Sequence, residues 1–116
     1  MTIPTAGSHP ELLAGIITTS GLPPERIIII RTKPHVDLPN GCIVIDDFDP
    51  PNIQRWWKRG INESVARGAT AVAVLNDDLR IEPDTLEKLH DELLATGATV
   101  ATPSRPGLER GLHKRR

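Results

Sequence analysis

Ala71-Val72-Ala73-Val74-Leu75-Asn76-Asp77-Asp78-Leu79-Arg80-Ile81-Glu82-Pro83-Asp84-Thr85-Leu86 is the stretch that decides the fold. It opens on a short, continuously apolar run, as a strand covered on both faces requires. The run stops abruptly at three polar groups. Pro83-Asp84 then suits the start of a helix, whose Leu86, Leu89, Leu93 and Leu94 form one stripe before Gly97 ends it.

Outward from this stretch the same alternation repeats. Upstream, Ile53, Trp57, Ile61 and Val65 recur every fourth residue between the capping residue Asn52 and the stop Gly68, predicting a helix over 52–67 with those four on its buried face. Further back, Ser8-His9-Pro10-Glu11 reads as a capping box with Ser8 as the cap. Leu12, Leu13, Ile16 and Ile17 follow as an apolar face, and Gly21 closes that helix. Ile27–Ile30, Cys42–Ile45 and Thr99–Ala101 are further strand candidates, and Thr2–Thr5 supplies another. Residues 32–41, with Pro34, Pro39 and Gly41, join two strands without a helix. The order β-α-β-β-α-β-α-β predicts one Rossmann-like α/β domain, with a mostly parallel sheet of about five strands and helices on both faces.

Composition sets the outer limits. With 116 residues, 38% hydrophobic and 25% charged, the chain suits one domain. No segment approaches the length of a membrane span, and Met1-Thr2-Ile3-Pro4 has no signal-peptide character, so a cytoplasmic protein without membrane contact is expected. The single cysteine, Cys42, excludes an internal disulfide and reads as a small buried hydrophobe. In residues 105–116, Arg105, Arg110, Lys114, Arg115 and Arg116 stand against Glu109 alone. The tail is therefore +4 and the remainder −5, against a total of −1. This tail lacks aromatics for stacking on bases, so a solvated, frayed terminus is expected rather than a nucleic-acid site.

Open α/β sheets take ligands at the carboxyl ends of their strands. Here those ends are Thr5, Arg31-Thr32, Asp46-Asp47 and Asn76-Asp77-Asp78. The acidic pair Asp77-Asp78 offers hard oxygen ligands suited to Mg²⁺ or Mn²⁺ bridging substrate phosphates. The alternative is a plain turn after the strand, since Asn-Asp is a common turn pair. Asp46, Asp47 and Asp49 form a second acidic group, with a loop and helix entry as the plainer reading. Trp57 reads as core; Trp56, one step round the helix, reads either as packing or as a pocket wall. Lys58 and Arg59 face either phosphate or water. The four histidines make no metal-ligand spacing, and there is neither a glycine-rich phosphate loop nor a Ser/His/Asp arrangement.

The segment from Val72 to Leu86 resembles the central part of inverting, family-2-type glycosyltransferases. There a hydrophobic strand runs into Asn-x-Asp or Asp-x-Asp, and Pro-Asp-x-Leu opens the next helix. Asn52-Ile53-Gln54-Arg55-Trp56-Trp57-Lys58-Arg59-Gly60-Ile61, with Gly68-Ala69, is similar to the helix that precedes that strand, most of all in short phage-encoded members. The likeness covers 2–104 and is specific over 52–86. It implies a GT-A nucleotide-sugar-binding domain over 1–104 and a basic tail over 105–116. It also implies a divalent cation, Mn²⁺ or Mg²⁺, held by Asp78 with Asp77, and a UDP- or dTDP-sugar donor contacted by Thr5, Arg31, Asn52, Trp56, Asn76 and Asp77. The acceptor, protein or glycan, is left unnamed.

The chain departs from that pattern in three places. Arg31-Thr32 stands where the second strand usually ends in Asp, and Lys58 stands where Asn is frequent. The half that carries the acceptor site and the general base is expected to be missing, so no residue here matches that base. Two readings follow: a small glycosyltransferase, or a shortened relative kept as a nucleotide-binding or assembly module, for which an uncovered sheet edge invites a homo-oligomer. A phosphoryl-transfer domain of receiver type needs acidic residues after the first strand and a lysine after the last; Thr5 and Thr102-Pro103 supply neither.

Overall fold

The computed structural model describes residues 1–101 and 112–114. Two compact units divide the chain, Met1–Ile81 and Glu82–Arg116. The first is a small α/β unit built on β1 (Thr2–Thr5), α1 (Pro10–Thr19), β2 (Ile28–Arg31), β3 (Ile43–Asp46) and α2 (Ile53–Ala66). β1, β2 and β3 form a parallel sheet in that order, with Thr5 level with Arg31 and Arg31 level with Asp46. Its core is the isoleucine run: Ile3, Ile27, Ile29 and Ile30 are fully buried, together with Ile16 and Leu13 of α1. No helix among the described residues is long and apolar enough to cross a membrane.

The parallel sheet has three strands among the described residues, not about five. The expected strand at Ala71–Leu75 is extended chain that makes a single parallel bridge, Val74 to Thr2. Thr2 N–H donates to Ala73 O (2.8 Å) and Leu75 N–H donates to Thr2 O (3.0 Å). In a parallel ladder the next donor on that side of β1 is residue 4. Residue 4 is proline and has no N–H, so the ladder ends after one rung. The expected strand at Thr99–Ala101 is also not in this sheet. As β4 (Ala98–Ala101) it pairs antiparallel with β5 (Leu112–Lys114) in the second unit, after α3 (Thr85–Thr96). Residues 112–114 of the tail are therefore paired rather than frayed, which saturates the edge of β4. The remainder of the expected tail lies outside the described residues.

The bridge still fixes the topology. β1 continues through α1 to β2 on one side, whereas β3 continues through α2 to the Val74 segment on the other. The spatial order is Val74 segment, β1, β2, β3, so the chain reverses direction across β1. Right-handed connections then send α1 and α2 to opposite faces of the sheet. The C-terminal end of β1 is a topological switch point, where such sheets open a crevice.

Three helix readings need correction. α1 is capped by His9, with no side-chain cap bond, so Ser8 does not cap it. α2 does start at the cap Asn52, whose Oδ1 accepts from Arg55 N–H at 3.0 Å, and it ends before Gly68 as expected. Its buried face, however, is not Ile53, Ile61 and Val65, which are 40%, 37% and 58% exposed. The seam against β1 is Gly60 and Ser64, flanked by the half-buried Trp56 and Trp57. α2 lies close enough to β1 that a Cβ on Gly60 would come within 2.8 Å of Thr2 Cβ. Small residues face the sheet because only they allow that approach, and the bulky apolar residues turn aside. In α3, Leu86, Leu89 and Leu93 are half-buried while Leu94 is 72% exposed, so the expected stripe narrows to three. Cys42 lies one residue before β3 and is only partly buried; burial pushes its thiol up from the ordinary value.

Candidate functional site

The C-terminal ends of β1 and the Val74 segment are tied together by a side-chain bond. Thr5 Oγ1 donates to Asp77 Oδ2 at 2.7 Å and accepts from Gly7 N–H at 3.1 Å. Thr5 is 3% exposed, so Asp77 is anchored from the interior side while the loop carrying it turns outward. Gly7 has φ +80°, which lets the first loop fold back on Thr5; a Cβ there would press on Val36 at 3.0 Å. Thr32, after β2, donates from both its N–H (3.0 Å) and its Oγ1 (3.1 Å) to Thr5 O, which extends the same platform.

A cleft of about 270 Å³ opens above this platform. Asn76, Asp77 and Asp78 form one wall, and Thr5 and Pro4 form its floor with Thr32. Ala6, Ser8 and His9 close the side at the start of α1, and Ile53 and Trp56 close the side at the start of α2. Ligand pockets commonly span about 300–1,000 Å³, so this cleft holds part of a ligand and leaves the rest over an open rim. Trp56 Nε1 is buried with no hydrogen-bond partner in the structure. Asp78 is exposed and makes no ion pair among the described residues.

Five of the seven residues singled out from the sequence as donor contacts or metal ligands line the cleft: Thr5, Trp56, Asn76, Asp77 and Asp78. Arg31 does not line it. Its Nε and Nη2 grip Asp46 Oδ1 and Oδ2 at 2.6 and 2.9 Å, and this pairing holds the Asp46 carboxyl below its usual range. Asn52 is spent on capping α2 and is not on the wall. Ser8, His9 and Ile53 are wall residues that the sequence reading gave no binding role. Their signal was position, since Ser8 and His9 lie in the loop after β1 and Ile53 opens α2. Reading Ser8 as a cap concealed it.

The second acidic group is structural. Asp47 has a fully buried side chain and receives Arg55 Nε (2.9 Å), Arg55 Nη2 (2.8 Å) and Arg59 Nη1 (3.1 Å). Arg59 stays 45% exposed to water while its Nη1 donates to Asp47, and so helps hold the first turns of α2 onto the end of β3. The two guanidinium groups, Arg55 first, hold the Asp47 carboxyl far below the usual range against its burial. A depressed folded-state pKa adds stability that is complete above the unfolded carboxylate value of about 3.9 and is lost as pH falls below it. Asp47→Asn is expected to cost about 2 kcal/mol at pH 7 and to flatten the acid limb of the stability curve. Urea midpoints at pH 7 and pH 3 check this: the gap between wild type and variant narrows at the lower pH.

Among the described residues, no three His, Cys, Asp or Glu side chains are grouped to hold a metal by themselves. The donor set of Asp77, Asp78 and the Asn76 amide still suits Mg²⁺ or Mn²⁺. Such ions take one or two carboxylates and complete their shell with water and phosphate oxygens. Comparison with protein-family models, curated proteins and solved structures found no match to this chain.

Proposed function

We propose that the chain binds a nucleotide-diphospho-sugar in the cleft at the end of β1, with a divalent cation held by Asp78 and Asp77, and that it acts as a GT-A-type glycosyltransferase. The observation that carries this reading is the Thr5–Asp77 bond, which fastens the acidic loop to the switch point beside Trp56. The loop is thereby a presented ligand set rather than a free turn. The cation, when bound, neutralises charge on the departing nucleoside diphosphate. Trp56 offers an aromatic face to a base or ribose, and Asn76 offers an amide to hydroxyl groups. Thr5 serves as a positioning residue, its hydroxyl being engaged with Asp77 rather than free for the base.

A second reading, a binding or assembly module without turnover, is favoured by one observation: Ile61, Val65, Phe48 and Val44 are all exposed apolar side chains of the first unit. The two readings share the donor site and differ in transfer. Indole fluorescence tests the site, because Trp56 and Trp57 are the only tryptophans. Titration of Mn²⁺ with UDP is expected to quench emission in the wild type. Thr5→Val is expected to raise the Mn²⁺ midpoint on the order of tenfold, as loss of a positioning partner does at metal sites, while the urea midpoint of the unliganded protein moves little. An unchanged Mn²⁺ midpoint in Thr5→Val would remove the argument from the Thr5–Asp77 bond.

A further inference from the structure

We propose that Asp47 is a positioning residue of the donor site, acting through Arg55 and Arg59 to hold Trp56 in place on the cleft wall. This role rests on the donor-site reading above and adds to that site a residue that does not line the cleft. The Asp47 side chain is fully buried just beyond β3. Its N–H donates to Arg31 O at 2.9 Å, which ties it to the sheet. Its carboxylate accepts Nε and Nη2 of Arg55 at 2.9 and 2.8 Å and Nη1 of Arg59 at 3.1 Å. Arg55 Nη2 also donates to Pro50 O at 2.9 Å, so one guanidinium fastens α2 both to the strand end and to the chain leading into the helix.

Trp56 stands between two attachments of α2. Arg55, its neighbour in sequence, is fastened to Asp47, and Gly60, one turn on, lies against Thr2. Trp56 itself belongs to the first turn, with its N–H donating to Asn52 O at 3.1 Å. Helix ends are short of backbone partners and fray. A buried ion pair adds little net stability over well-packed apolar side chains of similar volume. What an arginine fork on a carboxylate adds is direction, because its two parallel bonds fix the angle of approach as well as the distance. Here that direction is given to the turn that carries the indole of the wall. A binding side chain serves its ligand only while the residues behind it keep it in place.

The test is calorimetric titration of the full chain with UDP in the presence of Mn²⁺ at pH 7.5. Asp47→Asn is expected to weaken UDP binding on the order of tenfold, as loss of a supporting partner does behind a binding residue. Arg55→Lys keeps a cation beside Asp47 but loses the fork, and is expected to weaken binding in the same direction; it carries the test if Asp47→Asn does not fold. In a Trp56→Leu background neither substitution is expected to add a further loss, because the side chain they position is gone. In a Trp57→Phe background Trp56 is the sole indole. Its quenching by acrylamide is then expected to rise when Asp47→Asn is added. Glu63→Gln breaks the pair with Arg67 toward the other end of α2 and is expected to leave UDP affinity unchanged. Wild-type affinity in folded Asp47→Asn or Arg55→Lys, or the same fold-loss with and without Trp56, would overturn the positioning role and leave the donor site standing. No binding of UDP by the folded wild type would overturn the donor site, and the positioning role with it.

Discussion

Gly60→Ala is expected to destabilise the protein by about 3 kcal/mol, although alanine is the better helix former by about 1 kcal/mol. The sign follows from the approach of α2 to β1. The added methyl would overlap the Thr2 side chain and reach within 2.8 Å of Thr2 Cβ, a backbone-anchored atom that has no rotamer by which to leave. Thr2 is itself fully buried and holds the bridge to the Val74 segment through its N–H and C=O. Pushing α2 outward would loosen the cover of β1, and pushing Thr2 aside would break the bridge that brings Asn76–Asp78 to the switch point. Gly15 of α1 provides the internal control. It is also helical, but an added methyl would have nothing within 4 Å, so Gly15→Ala is expected to stabilise by about 0.5–1 kcal/mol. Urea denaturation of both variants reads the contrast. A double variant, Gly60→Ala with Thr2→Gly, should recover part of the loss through a favourable coupling between the two sites. Equal effects of the two alanines would contradict the close packing.

That seam shows where the sequence was readable and where it was not. Element types and most boundaries followed from periodicity, caps and glycines: Asn52 and Gly68 bracket α2, and Gly97, at φ +67°, ends α3. The face of α2 did not follow. A hydrophobic period marks which residues prefer burial, but a helix laid close on a sheet selects small residues for its contact line. Gly60 and Ser64 carry almost no hydropathy signal. The fourth strand misled for a different reason. Ala71–Leu75 has the composition of a buried strand, yet its pairing depends on the neighbour, and Pro4 removes the donor that a second rung needs. Strand propensity describes one partner of a ladder that requires two.

The site was legible as a set of strand ends and much less so as a set of contacts. Thr5, Asn76, Asp77 and Asp78 emerged together because the β1 end and the acidic loop are adjacent in the observed order. Arg31 was placed correctly at its strand end and still lies off the wall, because Asp46, level with it on β3, takes its guanidinium. Cross-strand pairing of that kind depends on register, which no single segment reveals. The wall residues Ser8 and His9 belong to the first loop after β1, where their neighbourhood in space, rather than their type, gives them a place.

Asp78→Ala is expected to weaken metal-dependent donor binding by at least about a hundredfold, roughly 3 kcal/mol. The size of the effect follows from the lack of lysine and arginine among the described wall residues. A cation bound by the acidic loop offsets the repulsion between its carboxylates and a diphosphate more strongly than exposed, solvated side chains outside the wall do. Binding should therefore be lost on chelation of the metal. Removing one of the two wall carboxylates leaves the ion short of ligands. The same change reduces repulsion, so the effect of Asp78→Ala should reverse in chelator, where the variant binds nucleotide no more weakly than the wild type. A residue that merely shapes a turn would produce neither the loss nor the reversal.

The most direct test is calorimetric titration of UDP- and dTDP-sugars into the wild type and Asp78→Ala, with Mn²⁺ and again with chelator. The donor site predicts binding by the wild type only with metal, and its loss in Asp78→Ala under the same conditions. Binding that survives chelation or the substitution, or no binding by the folded wild type, would contradict it.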